Sequence, residues 1–446
     1  MTSAAEQFVS NLNFGAFAKA TELKKRIWFT LGALIIYRLG TYIPLPGIDP
    51  IVLKDIFQQN QGGILGMFDM FAGGALGRMT IFALNIMPYI SSAIIMQLMS
   101  AVSPTLEALK KEGEAGRKKI NQYTRYGTVL IAAFQAYGIS AGLEGMSSSA
   151  GPAVHDPGLF FRFQVVVTLV GGTIFLMWLG EQITARGIGN GISLIILAGI
   201  VANLPSALAG TLELGRTGAL STAFIILLLF MSVGVIFFIV FVERAQRRII
   251  VQYPKRQRGN RMTGGESSHL PLKLNTSGVI PPIFASSILL LPITVIGFSA
   301  GTGPEWLTAV AAYLGRGQPA YLIIYISMVV FFAFFYTAVV FNPTDTADNL
   351  KRYGGFVPGI RPGKHTAEYL DWVLTRLTVV GAAYLAAICL LPELLISQYS
   401  VPFYFGGTSL LIVVTVTMDT VAQVQSHLLA HQYEGLIKKA KLRGRR

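Results

Sequence analysis

The sequence predicts an all-α polytopic membrane protein of ten transmembrane helices, on three observations. Of 446 residues, 52% are hydrophobic and only 13% are charged, against about 25% charged in an ordinary soluble domain. The apolar residues come in long runs, among them 27–45, 163–180, 223–242 and 320–341. Each run is long enough to cross the hydrocarbon as a helix, which bonds all of its own backbone polar groups where no water is present. The basic residues behind the net charge of +14 cluster in alternate connections between the runs.

Along the chain, the spans are expected near 26–45, 76–102, 126–143, 160–181, 189–208, 219–242, 275–298, 319–341, 374–393 and 405–428. An N-terminal arm, 1–25, leads into Lys24-Lys25-Arg26. The apolar run that follows lacks a small-residue cleavage site and reads as a retained first span, not a signal peptide. Arg38 lies inside it and is expected to snorkel toward the outer interface.

The stretch GGILGMFDMFAGGALGR (62–78) fits no span. A crossing needs about 20 apolar residues, and the apolar part here is about ten, with Asp69 in its middle. Glycine pairs bracket it, Gly62-Gly63 and Gly73-Gly74. It reads as a short buried helix hinged on residues that tolerate unusual dihedrals.

Isoleucines recur at particular places in the later spans. Ile86 and Ile90 are one helical turn apart in the second span, and Ile192 and Ile196 repeat that spacing in the fifth. Ile283 follows Pro281-Pro282, which are expected to break the seventh span, and Ile412 lies in the tenth. Any one of these reads as a lipid-facing or core residue. Together they allow an apolar constriction at the midplane, which blocks ions and water when narrow.

Lys and Arg cluster in the arm, in the connections after spans two, six and eight, and in the tail 429–446, whereas 144–159 and 394–404 contain neither. The positive-inside rule therefore places both termini in the cytoplasm. Two of the basic connections are long, 243–275 and 342–370. In the first, RRIIVQYPKRQRG reads as a short two-stranded finger carrying Arg247, Arg248, Lys255, Arg256 and Arg258. From charge alone, two uses stand equal: contact with anionic lipid head groups, or docking to RNA phosphates or an acidic protein surface.

Catalytic patterns are missing. The chain has no HExxH, P-loop or GxSxG motif and no paired carboxylates at catalytic spacing. Glu181 and Asp419 fall near the cytoplasmic ends of spans and read as interfacial. His427 and His431 are spaced i, i+4 without a third ligand nearby in sequence, and Cys389 has no partner for a disulfide. No enzyme, metal site or cofactor is expected.

Several longer motifs carry a specific resemblance: PLPGID (44–49), MFAGGAL (70–76), IMPYIS (86–91), PTLEALKKEGEAGRKKINQYTRYGT (104–128), MWLGEQITARGIGNGIS (177–193), FVERAQRRI (241–249), HLPLKLN (269–275), FNPTDTADNLKRYGGFVPGIRPG (341–363) and VPFYFGGTSLLIVV (401–414). In this order they resemble the SecY/Sec61-alpha family, the channel subunits of protein translocases, over roughly 20–440. The resemblance implies two inverted five-helix halves, 26–208 and 219–428. It makes 62–75 a plug, with Gly62, Gly63, Ile64, Leu65, Met67, Phe68, Asp69, Met70, Phe71, Gly73 and Gly74 as its residues. The pore ring falls on Ile86, Ile90, Ile192, Ile196, Ile283 and Ile412. A lateral gate between spans two and three and spans seven and eight carries the polar cluster Ser91, Gln135 and Asn275. Arg247, Arg248, Lys255, Arg256, Arg258 and Arg361 form the docking surface for the SecA motor ATPase and the ribosome. SecE and SecG are implied as small membrane subunits. Signal peptides, nascent chains and anionic lipids complete the expected partners, in a bacterial inner membrane.

The implied function is to pass unfolded secretory polypeptides across the membrane and release hydrophobic segments sideways into it. Two other readings are a small-solute secondary transporter built on inverted repeats and a scaffold whose basic loops dock ribosomes. A coupled transporter usually places carboxylates near the midplane, and these are missing. A scaffold needs neither the isoleucines nor a glycine-hinged helix.

Overall fold

The computed structural model describes residues 20–50, 52–53, 69, 72–145, 147–148, 151–218, 221–254, 256–258, 261–263, 267–299, 318–399 and 407–443. Helix α1 (Thr21–Gly40) is followed by α2 (Met87–Val102), α3 (Pro104–Lys111), α4 (Glu114–Gly145), α5 (Leu159–Arg186), α6 (Gly191–Arg216) and α7 (Thr222–Arg244). After a strand-rich connection come α8 (Ile280–Ser299), α9 (Pro319–Val340), α10 (Pro343–Arg352), α11 (Lys364–Tyr399) and α12 (Gly407–Arg443). A helix coincides with each of the ten expected spans. Seven helices among the described residues are long and apolar enough to cross a membrane, and an eighth span results if the bent pair α2 and α3 is one unit.

Helix ends follow local chemistry. The Asn190 side-chain carbonyl accepts from the Ile192 and Ser193 N–H groups and starts α6, Ser221 caps α7, and Asn342 caps α10. Each satisfies backbone donors that the first turn leaves without an intrahelical acceptor. The break between α2 and α3 bends the chain by 98° just before Pro104.

Two expectations about helix starts are corrected by proline. The second span was expected from residue 76, but 72–86 is a run of turns, with Met79 and Asn85 at φ of 42° and 50°. Pro88 has no N–H to donate back to residue 84, and it sits instead in the first turn of α2, where none is required. Likewise Pro281-Pro282 do not break the seventh span. They lie in the first turn of α8, which begins at Ile280.

The core is one large apolar cluster drawn from α1, the turns before α2, and the long helices α2, α4 to α9, α11 and α12. Large apolar side chains also cover the outside: Trp28, Phe160, Phe230 and Phe237 are all exposed. That distribution suits a hydrocarbon solvent. Helices α5 and α6 meet backbone to backbone, since a Cβ on Gly191 would lie 1.9 Å from the Gly180 carbonyl oxygen.

The sixth-to-seventh connection is a two-stranded finger, with a different pairing from the one expected. Strand β3 (Gln246–Gln252) pairs antiparallel with β6 (Ser267–Lys273), well beyond the Pro254 break. The shorter β4 (Arg256–Arg258) and β5 (Arg261–Thr263) pair with each other. A minimal hairpin of β1 (Ser147–Ser148) and β2 (Gly151–Pro152) lies in the connection between α4 and α5.

Candidate constriction, gate and docking surface

The structure brings most of the predicted ring together. Ile86, Ile90, Ile196, Ile283 and Ile412 line one cavity with Asn85, Met87 and Ser286. Its volume is about 10 Å³, close to the space that one water occupies. The side chains arrive from four helices. Ile86 is the residue before α2, and the Ile90 N–H donates to its carbonyl at 3.1 Å, so both point from one face. Ile196 sits on α6, Ile283 in the first turn of α8, and Ile412 on α12. No ionisable group lines the cavity, so an ion entering it would lose its hydration shell without compensation.

Ile192 is the exception. It is half-buried, packs beside Gly180 of α5 and does not line the cavity. Asn85, Met87 and Ser286 were missed. Ser286 was legible as the residue three after Ile283 on a helix. Asn85 was not, because it lies in a left-handed turn that helical periodicity does not describe.

Of the predicted plug, Asp69, Gly73 and Gly74 are described. Gly62, Gly63, Ile64, Leu65, Met67, Phe68, Met70 and Phe71 lie outside the described residues. Gly73 and Gly74 have φ of 65° and 81°, the left-handed region that glycine enters without strain. Gly73 also packs on α6 so closely that a Cβ would sit 2.9 Å from the Gly199 Cα. Asp69 ties the two sides of this turn: its carbonyl accepts the Gly74 N–H at 3.0 Å and its Oδ1 the Gly77 N–H at 2.7 Å. Burial pushes the Asp69 carboxyl above the usual carboxylate range, while the Gly77 N–H and the Arg78 charge pull against that rise.

Arg38 has partners that the sequence does not show. Nη1 donates to the Gly73 carbonyl at 2.9 Å and Nη2 to the Tyr42 hydroxyl at 3.0 Å. A nearby main-chain acceptor holds a charge that would otherwise seek water.

The gate residues are buried but not joined. Ser91, Gln135 and Asn275 are each inaccessible, yet no hydrogen bond connects them among the described residues, and Gln135 Oε1 has no hydrogen-bond partner there. Asn275 belongs to a different network. Its Nδ2 donates to Glu243 Oε1 at 2.7 Å and to the Gly278 carbonyl at 3.0 Å, while Ser277 Oγ donates to its Oδ1 at 3.0 Å. The bends at 274–277 carry Asn275 back to the last turn of α7. Glu243 was visible only as an acid ending a long apolar run, which reads more simply as interfacial.

Glu181 and Asp419, read from the sequence as interfacial, both have polar neighbours. Arg125 holds Glu181 through Nε and Nη2 at 2.9 and 2.7 Å, with both side chains partly exposed. Asp419 lines an open polar cavity of about 330 Å³ with Asn190, Ser193 and Gln423. No group of three or more His, Cys, Asp or Glu that could hold a metal occurs among the described residues.

The two long basic connections form one unit. Gln252 and Phe356 exchange both main-chain hydrogen bonds at 2.9 Å, and Ile249 and Leu272 pack with Val357, Leu370 and Val373. Alternation along β3 buries Ile249 and Val251 and exposes Arg248 and Ile250. Arg247, Arg248 and Arg361 are exposed on this unit. Arg256 and Arg258 lie on β4, and Lys255 lies outside the described residues.

Comparison with known proteins agrees with this geometry. A family model described as SecY matches residues 80–421. The protein translocase subunit SecY of Escherichia coli (strain K12) is 58% identical over 424 residues, covering 95% of this chain and 96% of that protein. A solved structure described as that of a protein conducting channel superimposes with a TM-score of 0.66 over 92% of this chain and 93% of that one, at 18% identity. Sec61 in the canine ribosome-channel complex from the endoplasmic reticulum gives 0.62 over the same shares, also at 18% identity. At such identities the two structures establish the fold, and the family rests on the sequence matches. The chain belongs to the SecY family of protein translocase channel subunits.

Proposed function

We propose that this chain is the central protein-conducting channel of a Sec translocase, passing unfolded polypeptides across the membrane through the isoleucine constriction. One observation carries the reading: five isoleucines from four helices close on a space of about 10 Å³. Flexible aliphatic side chains can seal around any extended chain without preferring a sequence, and when empty they exclude ions by dewetting. The chain has no nucleotide-binding motif, so the driving force comes from a partner.

The finer assignments follow from the same reading. The two halves, 26–208 and 219–428, separate at α2 and α4 against α8 and α9, and hydrophobic segments leave there into lipid. Residues 62–75 plug the outer side. SecE and SecG accompany the chain in the membrane. The unit built on β3, β6 and the 353–363 loop, with Arg247, Arg248 and Arg361 exposed, docks SecA and the ribosome. The placement of Lys and Arg supports cytoplasmic termini in a bacterial inner membrane, with anionic lipids against the basic connections.

The test is a photoreactive side chain at Ile90 or Ile283, with a secretory chain stalled partway through. An adduct with the mature part of that chain is expected. If neither position reacts while a probe in the 243–275 finger still crosslinks to ribosome or motor, the conduit is wrong and a docking scaffold remains.

A further inference from the structure

The turn at the end of the plug segment is held by a pair of cations that neither the constriction nor the docking surface uses. Arg38 Nη1 and Arg78 Nη2 both donate to the Gly73 carbonyl, at 2.9 and 3.2 Å. Both guanidiniums also lie over the ring of Tyr42, with Cζ 5.0 and 4.2 Å from its centroid. Among the described residues no main-chain N–H reaches the Gly73 oxygen, and no carboxylate forms an ion pair with either arginine. Two positive groups thus converge on one carbonyl, whose two lone pairs accept both.

That arrangement depends on the hinge. The left-handed φ of 65° at Gly73 sets the direction of its carbonyl. Its contact with Gly199 of α6 leaves no room for a side chain. Arg38 comes from α1 and Arg78 from the turns before α2, so the carbonyl is gripped from two separate parts of the outer side. If Gly73 moves, both guanidiniums lose their shared acceptor; Arg38 keeps the Tyr42 hydroxyl and Thr41 Oγ1, and Arg78 keeps the nearby Asp69 charge. The cation–π contact with Tyr42, a weak interaction at a partly exposed site, then offsets only part of their mutual repulsion.

We infer that Arg38, Arg78 and Tyr42 form a latch on the plug hinge: they hold the Gly73 carbonyl in the resting channel and set how often the plug leaves its seat. These are positioning residues. They touch the hinge, not the passing chain. The inference rests on the proposed conduit function and on the assignment of 62–75 as the plug.

The test uses the full-length chain, expressed with its membrane subunits and reconstituted in planar bilayers. Resting ion conductance is read without substrate, and precursor translocation is read in parallel. A hydrogen bond to a charged group contributes enough that losing one raises the unlatched population about tenfold. Arg38→Ala and Arg78→Ala are each expected to raise resting conductance by about that factor, with translocation retained. Because both arginines serve one carbonyl, the double variant is expected to fall well short of the product of the two single effects. Arg78→Lys keeps a donor but loses the planar stack, so it recovers part of the seal. If an alanine variant does not accumulate, the lysine variant and Tyr42→Ala carry the test. Unchanged resting conductance in variants that still translocate overturns the latch and leaves the conduit standing. A wild-type preparation that inserts but never conducts or translocates overturns both.

Discussion

The buried network around Asn275 makes the sharpest energetic prediction. Asn275→Ala removes the donor to Glu243 Oε1, the donor to the Gly278 carbonyl and the acceptor for Ser277 Oγ. Asn275, Glu243 and Ser277 are 2%, 8% and 4% exposed, so water does not replace the lost bonds. At about 1 kcal/mol for each group left without its partner, the variant is destabilised by about 3 kcal/mol. Glu243→Ala removes only one of the three bonds, and Glu243→Gln keeps an oxygen that accepts from Asn275. The coupling between the two sites in a double-mutant cycle is therefore about 1–3 kcal/mol, its upper end applying if the carboxyl is charged. The assay is reversible unfolding of the purified protein in one fixed detergent–lipid mixture, comparing the two alanine variants with the double variant. Asn275→Asp sharpens it by setting a second carboxyl at 2.7 Å from the first, and it is expected to be worse than alanine. Strictly additive single effects would refute the reasoning. The link between α7 and the start of α8 would then lie elsewhere.

The constriction predicts a contrast within the ring. Ile86→Ala or Ile196→Ala opens room for a second water and is expected to raise resting ion leak in proteoliposomes, whereas Ile192→Ala, outside the cavity lining, is expected to leave it close to wild type. Equal leak from Ile192→Ala would restore that residue to the ring. On the proposed assignment of 62–75 as a plug, acidity is also expected to tighten its seat. The Asp69 carboxyl is raised by burial in this conformation, so its stabilising effect is fully present below the ordinary carboxylate range and is lost as pH rises through the raised value. Resting leak is expected to fall on acidification, and Asp69→Asn is expected to flatten that dependence.

The unit built from the two long basic connections is kept rigid by its own packing. Its polar arginines ride on a small apolar core of Ile249, Leu272, Val357, Leu370 and Val373. Two connections far apart in sequence lock together by the paired Gln252 and Phe356 hydrogen bonds. Neither loop buries enough surface to hold its shape alone, since an isolated two-stranded hairpin is marginal in water.

The sequence by itself determined the class of the molecule, because hydrocarbon imposes long apolar helices, and composition and run length record that requirement directly. Period also revealed Ile86 with Ile90 on one face, and the second glycine pair, Gly73-Gly74, falls where the backbone adopts left-handed dihedrals. Local rules reached helix ends only in part. Asn190 and Ser221 cap helices as their residue types favour, yet Pro88 and Pro281-Pro282 had to be placed at helix starts by the structure, because proline is compatible with both a break and a beginning. Tertiary structure alone decided which polar groups meet. Asn275 was expected beside Ser91 and Gln135, but it bonds Glu243, 32 residues away in sequence. Arg38 finds a carbonyl 35 residues away, and Ile192 turns toward Gly180 although its spacing from Ile196 matches the other pair. Such pairings depend on how helices cross and where turns return the chain. Those are properties of the packed whole, and no window of sequence records them.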